Sequence, residues 1–506
     1  MRKLLTLAAA LYLSAPGHAL ADDWHEASSD HFVIYAEEDE REIRKYSDRL
    51  ERYHSAMSAV LPSKKITPSP SNRVTVYVVS SDRIVRKLYG SGTDSRYVKG
   101  FYSPRAGGSL AIIPPIDVSG AKASESELIL MHEYAHHFMA VNSDYLVPRW
   151  YGEGFAEFFA TAKFEKDGAV GLGLPAEHRA YELFEARDVS IQQLLDSKLY
   201  VANKTSGYDN FYGRSWALFH YLFTDARRRE QIVDYLNRLN DGEAELAAAA
   251  SAFGDLKALD KALDSYVTQR RWHYFRVPPD WLKVGEIKVR RLSEGEAASM
   301  PIRIRSKRGV DEKAAAELVQ DAREIAAKYP AEPAVQAALA EAEFDAGNDE
   351  AAIAAADKAL AAAPGNMTAL IQKGYALEHI AGETETDDAW KAVRRHFVSV
   401  NKLENDNPIP LVYYYLSFVR QGKEPTKSAL DGLEWALELA PYDAEVRMMV
   451  ARQQMRDKRF VEAVRTISPL AYNPHLAADN PAMKLLETAR KEMAAGTESA
   501  SAASQK

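Results

Sequence analysis

LILMHEYAHHFM, residues 128–139, is an apolar stretch interrupted by four polar side chains that can bind a metal: His132, Glu133, His136 and His137. On an α-helix successive residues turn by about 100°, so these four fall within an arc of roughly 140°. Unpaired polar groups are costly inside a protein. The stretch therefore predicts a buried helix whose polar side faces a cleft, a metal ion or closely matched partners.

His132 and His136 are four residues apart, so both imidazoles project from one helix face and can reach a single ion. The chain contains no cysteine, and any metal must therefore be bound by nitrogen and oxygen atoms, which zinc accepts. Glu133 would lie beside the metal without binding it, where its carboxylate can take a proton from an activated water molecule. The H-E-x-x-H pattern predicts one Zn²⁺ per chain with Glu133 as general base.

A second pair of ionisable residues follows after a short polar loop. The segment WYGEGFAEFFA, residues 150–160, places Glu153 and Glu157 four residues apart, on one face of an otherwise aromatic and small-residue helix. The loop is long enough for the chain to reverse and bring this helix alongside the first. Carboxylates are seldom buried without partners, so the pair points to the same polar centre.

HEYAH at 132–136 and EGFAE at 153–157 resemble the gluzincin metallopeptidases, the group that contains thermolysin and the aminopeptidase N type enzymes. The resemblance implies three zinc ligands: His132, His136 and Glu153. It also implies that Glu133 is the general base and that Glu157 is a carboxylate that orients a ligand imidazole. The resemblance is close over these two segments and general over the rest of the first half of the chain.

The same resemblance implies a downstream tyrosine or histidine that stabilises the tetrahedral oxyanion. GYDNFYGRSWALFHYL, residues 207–222, lies at a suitable distance, with Tyr212 as the first choice and Tyr208 as the second. Either tyrosine can equally be a packing residue. His220 is expected to be a core histidine, and His137 a structural one, since a third ligand from the same helical turn would compete with the acidic ligand.

The substrate preference follows from a segment that is missing. The Gly-x-Met-Glu-Asn sequence, which binds the substrate amino terminus in the aminopeptidase branch, has no counterpart upstream. GGSLAIIPP, residues 107–115, stands where an active-site edge strand is expected, and an extended peptide can pair with such an edge. The sequence therefore favours an endopeptidase over an aminopeptidase.

The first 21 residues predict a cleaved secretory signal, because two basic residues precede a short apolar core and an Ala-Leu-Ala site. That core is about half as long as the roughly 20 apolar residues of a membrane span, and no membrane span is expected in the mature chain. Periplasmic or secreted localisation is expected. The net charge of −8 lacks the basic footprint of a nucleic-acid binder.

Residues 22–270 begin with an α/β pattern. HFVIYA, residues 31–36, and RVTVYVV, residues 73–79, have the β-branched and aromatic content of strands, and a helical pattern separates them. From residue 124 onward the pattern is mostly helical. With the resemblance, this predicts an α+β zincin-like metallopeptidase domain made of a small mixed sheet plus helices.

The second half of the chain divides into three segments. Residues 271–310 contain Pro278-Pro279 and the alternating stretches GEIKVRRL and PIRIRS, which predict a linker or a small β-like segment. Residues 311–490 predict an all-α tetratricopeptide-like helical repeat domain. Residues 491–506 are small and polar, which is typical of a disordered tail.

Prolines recur in the alanine-rich segment at intervals of 34, 44, 33 and 33 residues: Pro330, Pro364, Pro408, Pro441 and Pro474. A period near 34 is typical of tetratricopeptide repeats, helix-turn-helix units that must stack to bury their apolar faces. Small residues stand at identical offsets before two of the prolines: Ala340, Ala352 and Ala359, and Ser417, Ala429 and Ala436. The interval of 44 predicts an insertion around residues 382–388. An alanine-rich bundle without true repeats is the alternative.

The sequence therefore predicts an exported zinc metallopeptidase that hydrolyses a peptide or protein substrate and recruits a protein partner through its repeats. Two alternatives use the same residues. One is a repeat scaffold whose zinc site is structural and catalytically idle, and the other is a zinc hydrolase acting on a cell-wall amide.

Overall fold

A computed structural model describes residues 23–64, 67–90, 98–143, 145–204, 207–473, 476 and 479–504. The predicted signal segment, residues 1–21, lies outside the described residues. Among the helices that are described, none is both long enough and apolar enough to cross a membrane.

The described strands are β1 (His25–Ser28), β2 (Phe32–Ala36), β3 (Val74–Val78), β4 (Phe101–Ser103), β5 (Leu110–Ile113), β6 (Lys163–Phe164), β7 (Val170–Leu172), β8 (Phe275–Val277) and β9 (Lys288–Arg291). Six of them form a sheet in the order β4-β5-β3-β2-β1-β9. Strands β2, β3 and β5 are parallel, whereas β1, β4 and β9 pair antiparallel with their neighbours. The sheet is mixed, as the sequence predicts. Strands β6, β7 and β8 form a second, antiparallel sheet.

The first part of the chain has the following helices: α1 (Glu40–Val60), α2 (Asp82–Tyr89), α3 (Glu125–Asn142), α4 (Arg149–Ala160), α5 (Ala180–Glu185), α6 (Ile191–Leu195), α7 (Ser197–Asn203), α8 (Phe211–Phe223), α9 (Ala226–Asn240), α10 (Glu245–Phe253) and α11 (Leu256–Val267). Helices α1 and α3 share the main core with one face of the larger sheet. The Tyr53 hydroxyl of α1 donates to the Met131 carbonyl of α3 at 3.0 Å. At the start of α3, Glu127 accepts from the Ser124 N–H at 2.8 Å and pairs with Arg49.

Helix α4 lies between α3 and α8, and a glycine makes the second contact possible. A Cβ at Gly154 would stand 2.3 Å from the Ser215 carbonyl oxygen of α8. No side chain fits at that distance, so the glycine in EGFAE allows the two helix backbones to meet. The position of α4 fixes the two glutamates of this segment against α3.

Residues 271–310 are more regular than a linker. Strand β8 completes the smaller sheet, β9 pairs with β1 at the edge of the larger sheet, and residues 294–308 form a helix. The prediction that PIRIRS, residues 301–306, is β-like is wrong. Its alternating pattern lies within the helix of residues 294–308. Ser293 caps the start of this helix, because its hydroxyl accepts from the Glu296 N–H.

The remaining helices form the repeat array: α12 (Glu294–Arg308), α13 (Glu312–Lys328), α14 (Pro333–Asp345), α15 (Asp349–Ala362), α16 (Met367–Thr384), α17 (Asp387–Leu403), α18 (Pro408–Val419), α19 (Lys427–Leu439), α20 (Ala444–Arg456), α21 (Phe460–Ala471) and α22 (Pro481–Ser504). Successive helices pack as hairpins, and the described prolines of the 34-residue period lie at or near the turns between hairpins. The array confirms a helical repeat.

The small residues at repeated offsets have no exposed surface: Ala340, Ala352, Ala359, Ser417, Ala429 and Ala436. The predicted insertion around residues 382–388 lies at the turn between α16 and α17, which are 18 and 17 residues long. The predicted boundary at residue 490 is different in the structure, because α22 continues to Ser504. The alanine-rich composition of that segment favours continued helix.

The repeat array contacts the larger sheet through the β4–β5 hairpin, residues 101–113. The Ala106 N–H, in the turn, donates to the Asp443 carboxylate at 2.6 Å. Gly107, with a φ of +77°, lies so close to Ile409 that a Cβ would stand 2.6 Å from its Cγ1 atom. The array therefore holds the tip of this hairpin.

Further polar contacts surround the hairpin. The Asn72 side-chain N–H donates to the Leu439 carbonyl at 2.9 Å, and the Asn72 side-chain oxygen accepts from the Tyr442 hydroxyl at 2.9 Å. The Ser71 N–H and hydroxyl both donate to the Glu404 carboxylate at 2.8 Å. The two parts of the molecule thus form a specific interface.

Candidate metal centre

Three side chains from α3 and α4 converge on one point. The Nε2 atoms of His132 and His136 are 3.3 Å apart. The Glu153 Oε2 atom lies 3.4 Å from the first and 3.6 Å from the second. Among the described residues, these three form the one group whose ligand atoms are close enough to share an ion. The sequence predicted the same three.

The spacing of these atoms suits zinc. Ligand atoms about 2.0–2.1 Å from a tetrahedral zinc are separated by about 3.4 Å. The three separations in the structure, 3.3, 3.4 and 3.6 Å, lie close to that value. Three protein ligands also leave a fourth position for water or substrate, which distinguishes catalytic zinc sites from structural ones.

The electrostatics of the centre favour a positive charge. Burial disfavours the charged form of His132, but hydrogen bonds to Glu153 and Glu157 raise its pKa to about 10. Burial acts to raise the pKa of Glu153, yet hydrogen bonds from both imidazoles hold that pKa well below its ordinary range. Because Glu153 is fully buried, its negative charge requires a cationic neighbour.

Glu157 contacts the other side of the first imidazole. Its Oε1 atom lies 3.2 Å from Nδ1 of His132, leaving Nε2 directed at the common point. Its Oε2 atom is 2.7 Å from His178 Nε2, and Arg179 Nε donates to Oε1 at 3.1 Å. Burial acts to raise the pKa of Glu157, but these partners hold it well below its ordinary value. The arrangement matches the predicted orienting carboxylate.

His178 and Arg179 have no counterpart in the sequence prediction. They belong to the short 3₁₀ turn Glu177–Arg179, which precedes α5 and has no periodic pattern. A buried Glu157 could have indicated that a cationic partner exists. Nothing in the sequence indicates which of the arginines and histidines supplies it.

Glu133 follows the first ligand on α3 and is half-buried. Its negative charge contributes, after burial, to a raised pKa of Tyr102 on β4. The carboxylate therefore lies toward the side of α3 that carries β4. Glu133 is not one of the three residues whose ligand atoms converge, and its role as a base stays a prediction.

The two candidate tyrosines differ in their surroundings. Burial, followed by the negative charge of Glu153, raises the pKa of Tyr212 well above its ordinary value. The guanidinium of Arg179 lies 4.9 Å from its ring centroid. Tyr208 is 61% exposed, and its hydroxyl donates to Glu182 at 3.2 Å. The negative charge of Glu153 thus acts on Tyr212, and the role of a tyrosine at the oxyanion stays a prediction.

The two remaining histidines of the predicted segments lie outside the group of three converging side chains. His220 is fully buried, with Nδ1 2.8 Å from the Tyr266 hydroxyl and Nε2 3.0 Å from the Gly173 carbonyl oxygen. His137 lies with Nδ1 2.7 Å from the Tyr102 hydroxyl, and its ring centroid is 4.3 Å from that of Tyr442. The prediction of a core histidine is confirmed for His220, and that of a structural histidine stays a prediction for His137.

The edge strand beside α3 is not the one expected. GGSLAIIPP, residues 107–115, contains β5, which pairs with β3 on one side and with β4 on the other. The outer strand is β4, which packs against α3. Its outer side pairs with no strand in the part of the chain that the structure describes. The sequence identified the correct hairpin but the wrong strand of it.

Residues 129–243 match a family model described as a protein of unknown function (DUF1570). The match covers less than a quarter of the chain, and it includes every candidate residue of the centre, from His132 to Tyr212. No curated protein matches the chain.

Solved structures show likeness at low identity. A thermophilic TPR protein of Thermus thermophilus is 15% identical, covers 35% of this chain and 90% of its own, and has a TM-score of 0.29. A MamA double mutant is 15% identical over 38% of this chain and 96% of its own, with a TM-score of 0.28. The Cut9–Hcn1 hetero-tetramer of the APC/C is 13% identical, covers 63% of this chain and 71% of its own, and has a TM-score of 0.16.

Proposed function

We propose that the chain is an exported zinc metallopeptidase of the gluzincin type that cleaves internal peptide bonds. The observation that carries the proposal is the separation of the three ligand atoms, 3.3, 3.4 and 3.6 Å, which fits a tetrahedral zinc with one position open. The zinc ion, when bound, would supply Lewis-acid activation of water and of the scissile carbonyl.

The side chains of the chain have separate tasks in this proposal. The Glu133 carboxylate accepts the proton of the attacking water and returns it to the leaving amine. The pKa of Tyr212 is raised first by burial and then by Glu153, so its phenol stays protonated and can donate to the oxyanion. Glu157, held by His178 and Arg179, fixes the orientation of one ligand imidazole.

The proposed substrate is an extended peptide that pairs with β4. This strand ends the sheet beside α3, and edge strands offer unpaired backbone groups to a peptide. Pairing along the edge leaves the peptide free to extend in both directions past Glu133. This geometry supports endopeptidase activity over trimming of chain ends.

The test compares two glutamine variants of the same helix. The chain without its first 21 residues is loaded with zinc and incubated with a diverse peptide library, and cleavage is read by mass spectrometry. Glu133→Gln is expected to retain zinc and fold but to lose about 100-fold to 10,000-fold in rate, the usual contribution of a general base. Glu125→Gln is the matched control, because Glu125 lies at the exposed start of α3 and pairs with Lys99.

Internal cuts by the wild type and the control, and not by Glu133→Gln, support the proposal. Hydrolysis that is unchanged in Glu133→Gln at equal zinc content removes the catalytic role. Absence of cuts by the zinc-loaded wild type favours a scaffold with a structural zinc, or a non-peptide amide as substrate.

A further inference from the structure

A cavity separate from the candidate metal centre lies on one face of the larger sheet, opposite the face that packs against α1 and α3. Side chains alternate along a strand, so in β2 Phe32 and Ile34 join the core that contains α1 and α3. Tyr35 faces the other way, toward α12. There the sheet, the β4–β5 hairpin and the repeat array enclose a cavity of about 380 Å³.

The charges that line this cavity do not balance. Four cations contribute to the wall: Arg73, Arg105, Arg303 and Lys307. Two carboxylates do so as well, and each is already paired. Glu341 lies 2.7 Å from Lys307, and Glu26 lies 2.8 Å from Arg290, which is outside the wall. Two positive charges are therefore in excess here, in a chain whose net charge is −8.

Two of the three arginines, Arg105 and Arg303, have few acceptors, whereas Arg73 already donates to the Ser28 hydroxyl and to the carbonyl oxygens of Ser29 and Pro70. In the described part of the chain, none of their nitrogen atoms lies within 4.0 Å of a carboxylate oxygen. Arg303 donates to one oxygen there, the Tyr35 hydroxyl at 3.3 Å, although a guanidinium has five N–H groups. Arg105 donates to the Lys307 carbonyl at 2.6 Å and to the Ser103 hydroxyl at 3.3 Å.

We infer that this cavity binds a small molecule that carries two negative charges on carboxylate or phosphate oxygens. Guanidinium groups bind both oxyanions through paired hydrogen bonds, and Arg303 has the donors to do so. Its guanidinium already lies 4.7 Å from the ring centroid of Tyr35, which fixes its position at the wall. A dianion would balance the two excess charges.

Two further features fit a small ligand. The volume lies within the usual range of about 300–1,000 Å³ for small-molecule pockets. Burial raises the pKa of Tyr35 to about 12, so its phenol remains neutral near a bound anion. The inference is independent of the metal centre.

The test uses isothermal titration calorimetry on the zinc-loaded chain without its first 21 residues. Succinate represents the carboxylate class, phenyl phosphate the phosphate class, and neutral succinamide the uncharged control. At least one dianion is expected to bind, more weakly as salt is raised, while succinamide does not. The anion that binds more tightly identifies the oxygen chemistry of the ligand.

Two variants and a matched control locate the site. Arg303→Gln and Arg105→Gln are each expected to weaken binding about tenfold or more, because each removes charged hydrogen bonds. Arg305→Gln is the control, since Arg305 lies on the same helix, pairs with Asp321 at 2.9 Å and does not line the cavity. Zinc content and the thermal midpoint are measured for all three. Arg105 lies in a turn, so its variant remains informative if Arg303→Gln does not fold.

Binding that falls in both cavity variants and persists in Arg305→Gln supports the inference. It is overturned if neither dianion binds the wild type, or if Arg305→Gln weakens binding as much as the cavity variants do. Equal binding of succinamide also overturns it, because the charge would then be irrelevant.

Discussion

Helices α3 and α4 and helices α14 and α15 both pack side by side, but they do so with opposite kinds of residue. The first pair meets through His132, His136 and Glu153, whose polar atoms need specific partners. The second pair meets largely through alanines, among them Ala340 and Ala359, which have no exposed surface. One contact depends on chemical identity and the other on size.

The two helix pairs therefore tolerate different kinds of substitution. A polar contact loses its function when a single atom type changes, even if the volume is conserved. An alanine contact is insensitive to chemistry but fails when volume is added. Substitutions in the two regions should therefore separate the effect of chemical identity from the effect of size.

Removing the acidic ligand should have the largest effect. Glu153→Ala deletes one of the three proposed zinc ligands, and we expect zinc affinity to fall more than about 100-fold, beyond the usual effect of residues that only orient ligands. Metal analysis after dialysis against a competing chelator measures this. Full zinc retention in the variant would remove Glu153 from the ligand set and leave Glu157 as the acidic ligand.

Removing only the orienting charge should have a smaller effect. Glu157→Gln keeps the volume but weakens the contacts to His132, His178 and Arg179, and we expect zinc affinity to fall about 10-fold to 100-fold. Competition with a chromogenic chelator gives the value. A loss as large as that of Glu153→Ala would show that Glu157 is itself a ligand.

Adding volume in the repeat array should reduce stability without touching zinc. Ala359→Leu inserts a larger side chain between α14 and α15, and we expect a loss of about 1–3 kcal/mol in the free energy of unfolding. Ala361→Leu is the control, because Ala361 is exposed on the same helix. Chemical denaturation followed by circular dichroism measures both. Equal stability of the two variants would contradict size as the determinant of this contact.

Two histidines should make the free energy of unfolding depend on pH in opposite directions: His54 in α1 and His379 in the repeat array. Burial first, then the charge of His31, lowers the pKa of His54 in α1 to about 3. Between pH 7.5 and 5.8 the unfolded state binds a proton that the folded state does not, so stability falls by about 1 kcal/mol. His379 in the array has a raised pKa because it is hydrogen-bonded to Asp349, and its contribution grows as pH falls.

Thermal unfolding of the wild type and His54→Gln at both pH values checks this prediction. The wild type should lose more stability than the variant on acidification. An equal loss in both proteins would show that His54 is not responsible for the acid sensitivity of its region.

The convergence of the three candidate ligands was largely predictable because its geometry is local. Spacings of four residues within α3 and within α4 fix which side chains share a face, and a short loop joins the helices. The partners of Glu157 were not predictable, because His178 and Arg179 reach it from a turn without a repeating pattern. The same limit applies to Tyr212, whose distance along the chain leaves its neighbours undetermined.

The errors in the fold have a common physical origin. The sequence of β5 is compatible with an edge strand. Its pairing with β3, which joins residues far apart in sequence, makes it an inner strand. PIRIRS alternates as a strand does, yet residues 301–306 are helical because the array supplies a partner for the apolar side of α12. In each case a contact with a distant segment overrides the local pattern.

The contacts between the repeat array and the β4–β5 hairpin have a consequence for the synthesis of the chain. Ser71 bonds to Glu404, and Ala106 bonds to Asp443, across separations of 333 and 337 residues. Such distant contacts form late, since each requires the closure of a long loop. A ribosome adds about 5–20 residues per second, so the contacts of this hairpin stay unmade for tens of seconds after α3 has emerged. A nascent chain therefore carries the HEYAH helix well before the neighbouring β4–β5 hairpin is held in place, and this region reaches its final arrangement only after residue 443 has been synthesised.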